Sequence, residues 1–436
     1  MKAILDVIRR HKRGIPVGLY SVCSAHPLVI EAALRLAHRT GGIALIEATS
    51  NQVNQEGGYT ALRPADFRAK VHAIAAAVGL PGERLVLGGD HLGPNCWQRL
   101  PAATALQKSA VLVDEYVGAG FRKIHLDCSM SCADDPKGLD DELIADRSAA
   151  LCEITEVAWQ RSGGEPPVYI IGSEVPVPGG AHEALGELAV TTPAAAQATL
   201  AAHRRAFARR GVEAAWERVV GLVVQPGVEF DHEQVIDYLP SKAVALSRSI
   251  EPVPGMVFEA HSTDYQTAAG LEALVRDHFA ILKVGPGLTF ALREVLWGLS
   301  DIASELKLMP DGSLKEAVLA QMRQDPRYWS AYYVNPARQH FDLQFSLSDR
   351  IRYYWAAPQV ERACTQLLGQ LAATAIPMTL ISQYLPNQYA AIRTGQLKNN
   401  PRELVLHGVE QVLSHYDKAC RAPANVGSRA INGDNE

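Results

Sequence analysis

Basic runs, long apolar stretches and regularly spaced cysteines are all scarce in this sequence, and each scarcity removes a class of protein. Across 436 residues no long block of Lys or Arg occurs, and the net charge is −5 with a pI of about 6.3. Nucleic acid or an anionic membrane as the main partner calls for a basic face, so neither is expected. No apolar stretch approaches the ~18–20 residues of a membrane span, because Arg, Asp, Glu or His interrupts every one. The opening MKAILDVIRRHKRGIPVG is charged throughout and lacks the apolar core of a signal peptide. Seven cysteines, an odd number without regular spacing, read as reduced, buried thiols of a cytoplasmic protein. Cys128 and Cys132 lack the second ligand pair that a structural zinc site requires. Neither a G-x-x-x-x-G-K-S/T loop nor a G-x-G-x-x-G after the first predicted strand is present, so a nucleotide-binding reading has no motif behind it. No fixed-length repeat suggests a solenoid or propeller.

What remains is a chain that is 47% hydrophobic and long enough for a large core. Eight short apolar runs alternate with helical stretches: Val17–Val22, Ile43–Ile46, Leu85–Leu87, Lys123–Leu126, Val168–Ile171, Val219–Val224, Met256–Phe258 and Ile281–Val284. Segments of helical period such as Pro27–Ala37, Ala65–Ala77 and Leu106–Val117 separate them. The alternation predicts βα units around a parallel sheet. Nearly every run ends in polar residues, as in Cys23-Ser24-Ala25-His26, Glu47-Ala48-Thr49-Ser50, Asp90-His91 and Glu259-Ala260-His261. Buried strands are apolar by need, so charge at the same end of each points to the mouth of a (β/α)8 TIM barrel. The expected division is a barrel over 1–300, a mostly helical C-terminal extension over 301–420 with segments such as Ser313–Arg323 and Gln359–Ala372, and a disordered polar tail over 421–436.

Asp90 and His91 sit in GGDHLGPN (Gly88–Asn95). A neutral imidazole ligates a divalent metal while a neighbouring carboxylate acts as general base; the alternative is an ordinary strand-end turn. Adjacent strand residues point to opposite faces, so both reach the mouth only where the strand ends and turns. His261 in FEAHSTD and Glu174 in GSEVPVPGG complete, with His91, the expected metal ligands, for Zn²⁺ first and Mn²⁺ or Co²⁺ next. Asp127 and Glu47 join Asp90 as candidate catalytic carboxylates. Gly179-Gly180, Gly227 and Gly285-Pro286-Gly287 lie in loops after later strands, where barrels hold phosphate on backbone N–H groups or where glycine merely turns the chain. Ser262, Thr263, Gly285 and Lys283 fit a phosphate site. Asn51 and Gln52 offer amides for sugar hydroxyls. Arg350 and Arg352, in SLSDRIRYYW (Ser346–Trp355), reach a phosphate or else make a surface pair with Asp349.

CSAHPLVIEAAL (Cys23–Leu34), IEATSNQVNQEGGYT (Ile46–Thr60), GGDHLGPNCW (Gly88–Trp97), KIHLDCSMSCA (Lys123–Ala133), SEVPVPGG (Ser173–Gly180), QPGVEFDH (Gln225–His232), EAHSTDYQ (Glu259–Gln266) and LKVGPGLTFALRE (Leu282–Glu294) together resemble one family. It is the Z-type subunit family of D-tagatose-1,6-bisphosphate aldolase, and the resemblance runs from about residue 10 to about 420. It implies a barrel similar to class II aldolases, with Asp90 as acid/base and His91, Glu174 and His261 around a metal. Where those aldolases place a further histidine on the sixth strand, this chain offers Gln225, a poorer zinc ligand. Family function is divided: some members resemble accessory subunits of a separate aldolase chain, others C4-epimerases of ketohexose 6-phosphates, and a tagatose 6-phosphate kinase label is also common, though the absence of a phosphate-loop motif argues against kinase activity here. The implied partners are a phosphorylated ketohexose, a separate aldolase chain and further copies in a homo-oligomer, with galactitol catabolism as the setting.

Overall fold

The computed structural model describes residues 1–174, 188–308 and 312–421. Eight parallel strands close on themselves: β1 (Leu19–Val22), β2 (Ala44–Thr49), β3 (Leu85–Leu92), β4 (Lys123–Leu126), β5 (Val168–Ile171), β6 (Val219–Val224), β7 (Val257–Ala260) and β8 (Ile281–Val284). Each pairs with the next, and β8 returns to β1. Every apolar run read from the sequence lies in or against one of these strands. A short antiparallel ribbon, Glu229–Phe230 against Val235–Ile236, stands between β6 and β7.

Helices fill the crossovers. Pro27–Thr40 starts where Pro27 fixes a helical φ, the His26 ring accepts the Leu28 N–H, and Gly41 at φ 74 ends it. Outward strand residues such as Ile46, Ile124 and Leu282 pack under this ring of helices in the larger core. Inward residues form a second core, in which Leu45, Val86, Ile170, Val257 and Ile281 meet Ile4 and Ile8 of the N-terminal helix Lys2–Lys12. That helix plugs the N-terminal end of the barrel, and each buried isoleucine contributes about 1.5–3 kcal/mol.

Helix Pro286–Glu305 runs across residue 300, and beyond it the described chain is helical. The segments expected there are helices Leu314–Gln324, capped by a Ser313–Glu316 box, and Pro358–Ala372. Helix Pro401–Cys420 returns to the barrel wall: the Tyr416 hydroxyl donates to the Thr263 carbonyl at 2.6 Å, and the Gly18 N–H donates to that of Cys420 at 3.0 Å. The extension and barrel therefore share one core. Cys128 and Cys132 are buried free thiols. The tail from 422 and the Gly179-Gly180 loop lie outside the described residues.

Candidate active site

Side chains alternate along a strand, so the filling of the barrel can be read two residues at a time. Above the apolar layer it turns charged: Glu47 follows Leu45, Glu259 follows Val257 and Lys283 follows Ile281, with Lys123 on β4 at the same level. All four are buried. Lys123 Nζ lies 2.7 Å from Glu47 Oε1 and 2.7 Å from Glu259 Oε2. Lys283 pairs with Glu47 and lies 2.9 Å from Asp90 Oδ2. Gly88 makes room for this ring, since a Cβ there would meet Glu47 Oε1 at 2.6 Å. Buried charges are costly even when paired, so such a layer is weak as a stabilising device and strong as an electrostatic one.

One step higher stand Asp90, His125 and His261. His125 Nδ1 lies 2.8 Å from Asp90 Oδ1, and His261 Nε2 lies 3.0 Å from Glu259 Oε1. His91 reaches the same mouth through a backbone irregularity. The β3–β4 register shifts between Gly89 and Leu92, and His91 takes φ 49 in the left-handed region. This bulge defeats the alternation that would send adjacent side chains to opposite faces, at a cost on the order of 1–3 kcal/mol. His91 Nδ1 lies 2.7 Å from Asp127 Oδ2. Its ring centre is 5.1 Å from those of both His125 and His261, which are 5.3 Å apart.

Electrostatics follow from this crowding. Burial pushes the Asp90 carboxyl up, but His91, Lys283 and the His125 bond outweigh it and hold it well below the usual range. Burial opposes charge on His91, yet Asp90 and Asp127 raise it. For His261 burial wins, pushing it down to about 4, so its imidazole is neutral at pH 7. Lys123 and Lys283 are held protonated against burial, Lys123 chiefly by Glu259 and Glu47, Lys283 chiefly by Asp90 and Glu47.

Ligand atoms of Asp90, His125, Glu259 and His261 lie within 4.8 Å of one another. His125 Nε2 is buried without a hydrogen-bond partner. Four carboxylates (Glu47, Asp90, Asp127, Glu259) outnumber two lysines (Lys123, Lys283) in this interior, and with His91 paired to Asp127 the remaining negative charge favours a cation. The donor set therefore fits a divalent metal. Of the ligands expected from the sequence, His261 is in the group. His91 stands beside it, with Nε2 3.6 Å from Asp90 Oδ2. Glu174 is not part of it: its carboxylate is exposed and takes a hydrogen bond from Thr191.

Asp90, His91, His261 and Lys283 line a small cavity of about 80 Å³ at the mouth, together with Asn51, Gln52, Ser262 and Gly285. Glu47 and Asp127 stand directly behind it through their bonds to Lys283 and His91. Three expected binding residues lie elsewhere. Gln225 folds back on its own turn, accepting the Gly227 and Val228 N–H groups at 2.8 and 2.9 Å. Thr263 is fully buried and donates to the Lys283 carbonyl. Arg350 donates to the Tyr328 carbonyl at 2.6 Å and stacks on Tyr332, while Arg352 takes the place on the cavity. The expected Asp349–Arg352 surface pair is absent: Asp349 is buried and accepts from Thr289. His125 and Lys123 lie within an apolar run, and Glu259 ends another beside the more conspicuous His261. Their signal was period two, K-x-H-x-D from Lys123 and E-x-H from Glu259.

The profile of the family described as D-tagatose-1,6-bisphosphate aldolase subunit GatZ/KbaZ-like matches residues 4–421. A crystal structure of a probable tagatose 6 phosphate kinase from Sinorhizobium meliloti 1021 is 49% identical, with a TM-score of 0.85, covering 92% of this chain and 100% of that one. More distant are a fructose-bisphosphate aldolase from Campylobacter jejuni (13% identity, TM-score 0.43, covering 85% of this chain and 91% of that one) and a fructuronate-tagaturonate epimerase from Cohnella laeviribosi (11%, 0.46, 94% and 82%). The chain belongs to the GatZ/KbaZ-like family.

Proposed function

We propose, with that membership as premise, that this chain is a metal-dependent C4-epimerase of ketohexose 6-phosphates, interconverting D-tagatose 6-phosphate and D-fructose 6-phosphate. The observation that carries the reading is the position of Asp90, on the cavity wall with the His125, Glu259 and His261 donors on one side and the Lys283 ammonium on the other. Zn²⁺ suits the His125, His261 and Glu259 donors, which leaves Asp90 for proton transfer, with Mn²⁺ or Co²⁺ as replacements. A metal bound there supplies Lewis-acid polarisation of the ketone and balances charge on the enediolate.

The C4–H bond of a 2-ketose is not adjacent to the carbonyl, so direct deprotonation there is unfavourable. Cleavage between C3 and C4 is the accessible route. Asp90, held ionised, takes the 4-hydroxyl proton as that oxygen becomes an aldehyde, and the C3–C4 pair of electrons passes to the three-carbon enediolate. The aldehyde, glyceraldehyde 3-phosphate, turns over its carbonyl and is re-attacked on the other face. Asp90 then returns the proton to the new hydroxyl. Lys283, fixed by Glu47 and Asp90, contributes preorganised positive charge beside the developing oxyanions.

The test is incubation of the purified chain alone with Zn²⁺, Mn²⁺ or Mg²⁺ and each ketohexose 6-phosphate deuterated at C4. Epimerised product that keeps its deuterium supports cleavage; loss of label to water overturns it. A second reading, in keeping with membership of an aldolase-subunit family, is an accessory role for a separate aldolase chain. Absence of turnover together with activation of such a chain establishes that reading instead.

A further inference from the structure

Barrel enzymes commonly hold phosphate on backbone N–H groups after the last two strands, at a helix N-terminus. Here those groups are taken. The Gly285 and Gly287 N–H groups, at the start of helix Pro286–Glu305, both donate to Asp264 Oδ1, at 2.9 and 2.7 Å. Asp264 is buried and lines the mouth cavity, and the buried Glu229 carboxylate lies within electrostatic reach of it. A phosphate arriving there meets carboxylate where other barrels offer open donors.

The mouth cavity, at about 80 Å³, is also too small for a six-carbon phosphate ester, since sites for small ligands are typically ~300–1,000 Å³. A second cavity of about 710 Å³ opens from it and shares Cys23, Gln52, Tyr59, Gly285 and Arg352 with it. Its wall carries Lys70, Arg352 and Arg402 against the carboxylate of Glu361. Arg402 is engaged by Glu31 at 2.7 Å. Arg352 is held flat: its Nη1 donates to the Ser348 and Asp349 carbonyls and its Nη2 to the Tyr353 hydroxyl at 3.1 Å. Among the described residues no carboxylate lies within 4.0 Å of the Lys70 or Arg352 charge, although Asp264 and Asp349 are within electrostatic reach of Arg352. The N-terminus of helix Pro27–Thr40 opens onto the same wall at His26, Pro27 and Leu28, adding its positive dipole end.

We propose that the substrate's phosphate binds in this second cavity, on Arg352 and Lys70, and not on the helix N-terminus after β8. The inference rests on the ketohexose-phosphate reading and places the sugar's C6 end in the larger cavity, with its reacting carbons at Asp90. Anchored by its phosphate, the aldehyde fragment turns over without leaving, which suppresses release of glyceraldehyde 3-phosphate between cleavage and re-addition.

Calorimetric titration of the full chain with inorganic phosphate, and separately with D-tagatose 6-phosphate and unphosphorylated D-tagatose, tests this. Lys70→Ala and Arg352→Gln should each weaken both phosphate ligands ~10-fold or more, as expected for loss of a charge-assisted contact, and Lys70→Ala, which lies off the mouth cavity, should leave D-tagatose unchanged. Lys70→Arg, which keeps the charge, should bind near wild type and controls for folding. Unchanged phosphate affinity in folded Lys70→Ala and Arg352→Gln overturns the proposal, as does absence of saturable phosphate binding by wild type. Phosphate binding with the expected variant pattern but no epimerisation sinks the catalytic reading and leaves the phosphate site standing.

Discussion

His125 Nδ1 lies 2.8 Å from Asp90 Oδ1, and this contact ties the fourth strand to the third at the level of the mouth. One face of the ring thereby orients the acid/base candidate. The other nitrogen, Nε2, is left buried and unpartnered beside Glu259 and His261. A single side chain thus links the proton-transfer group to the cation-ready cluster.

The first prediction concerns metal content. His125→Ala should abolish bound metal, because it removes one imidazole donor of a compact group whose Glu259 carboxylate is already engaged by Lys123. Glu174→Gln should leave it unchanged. Elemental analysis of both purified variants decides: equal loss in the two, or loss only in Glu174→Gln, places the ion elsewhere.

Asp90→Asn should lower turnover ~100-fold or more per folded molecule. Its melting temperature should fall only by a few degrees, because Lys283 keeps Glu47 as a partner. Active-site titration combined with thermal melts separates the two effects. A variant of wild-type turnover and poor stability would make Asp90 a structural residue.

Lys123 is fully buried between Glu47 and Glu259. Lys123→Met leaves two carboxylates facing each other without their shared cation, and should destabilise the fold by about 3–5 kcal/mol. Denaturant unfolding measures it. A change below about 1 kcal/mol would mean that water or protonation relieves the pair.

Burial pushes the Glu229 carboxyl up from 4.5 to about 7. A carboxyl that binds its proton more tightly when folded lends stability that is fully present below pH 4.5 and lost as pH rises through 7. The shift corresponds to roughly 3 kcal/mol at most. Unfolding midpoints should therefore decline between about pH 5 and pH 8, and Glu229→Gln should flatten that decline. An identical slope in both proteins assigns it to other groups.

Much of the fold was legible because burial on both faces makes barrel strands apolar, and KIHL or ILKV stands out between amphipathic helices. The mouth was legible in part, since Asp90, Glu47 and His261 end such runs. The candidate metal group was legible only in part, through Asp90 and His261. His125 lies within a run that reads as core, where one buried polar group is indistinguishable from a satisfied one. Gln225 and Thr263 looked equally available, yet a local turn and a carbonyl on β8 consume their polar atoms.

By itself the sequence determined which segments become strands, which residues on each strand share a face, and which family the chain resembles, because hydrophobic period and motif order are properties of the linear chain. Only the tertiary structure decided which inward residues stand at the same height. Barrel closure staggers neighbouring strands, so Lys123 meets Glu47 and Glu259 across the interior and His125 meets Asp90. The bulge at His91 depends on pairing with the fourth strand, and the place of Arg352 over the mouth depends on how the helical extension packs. Those contacts are long-range, fixed by strand register and packing, and no local pattern encodes them.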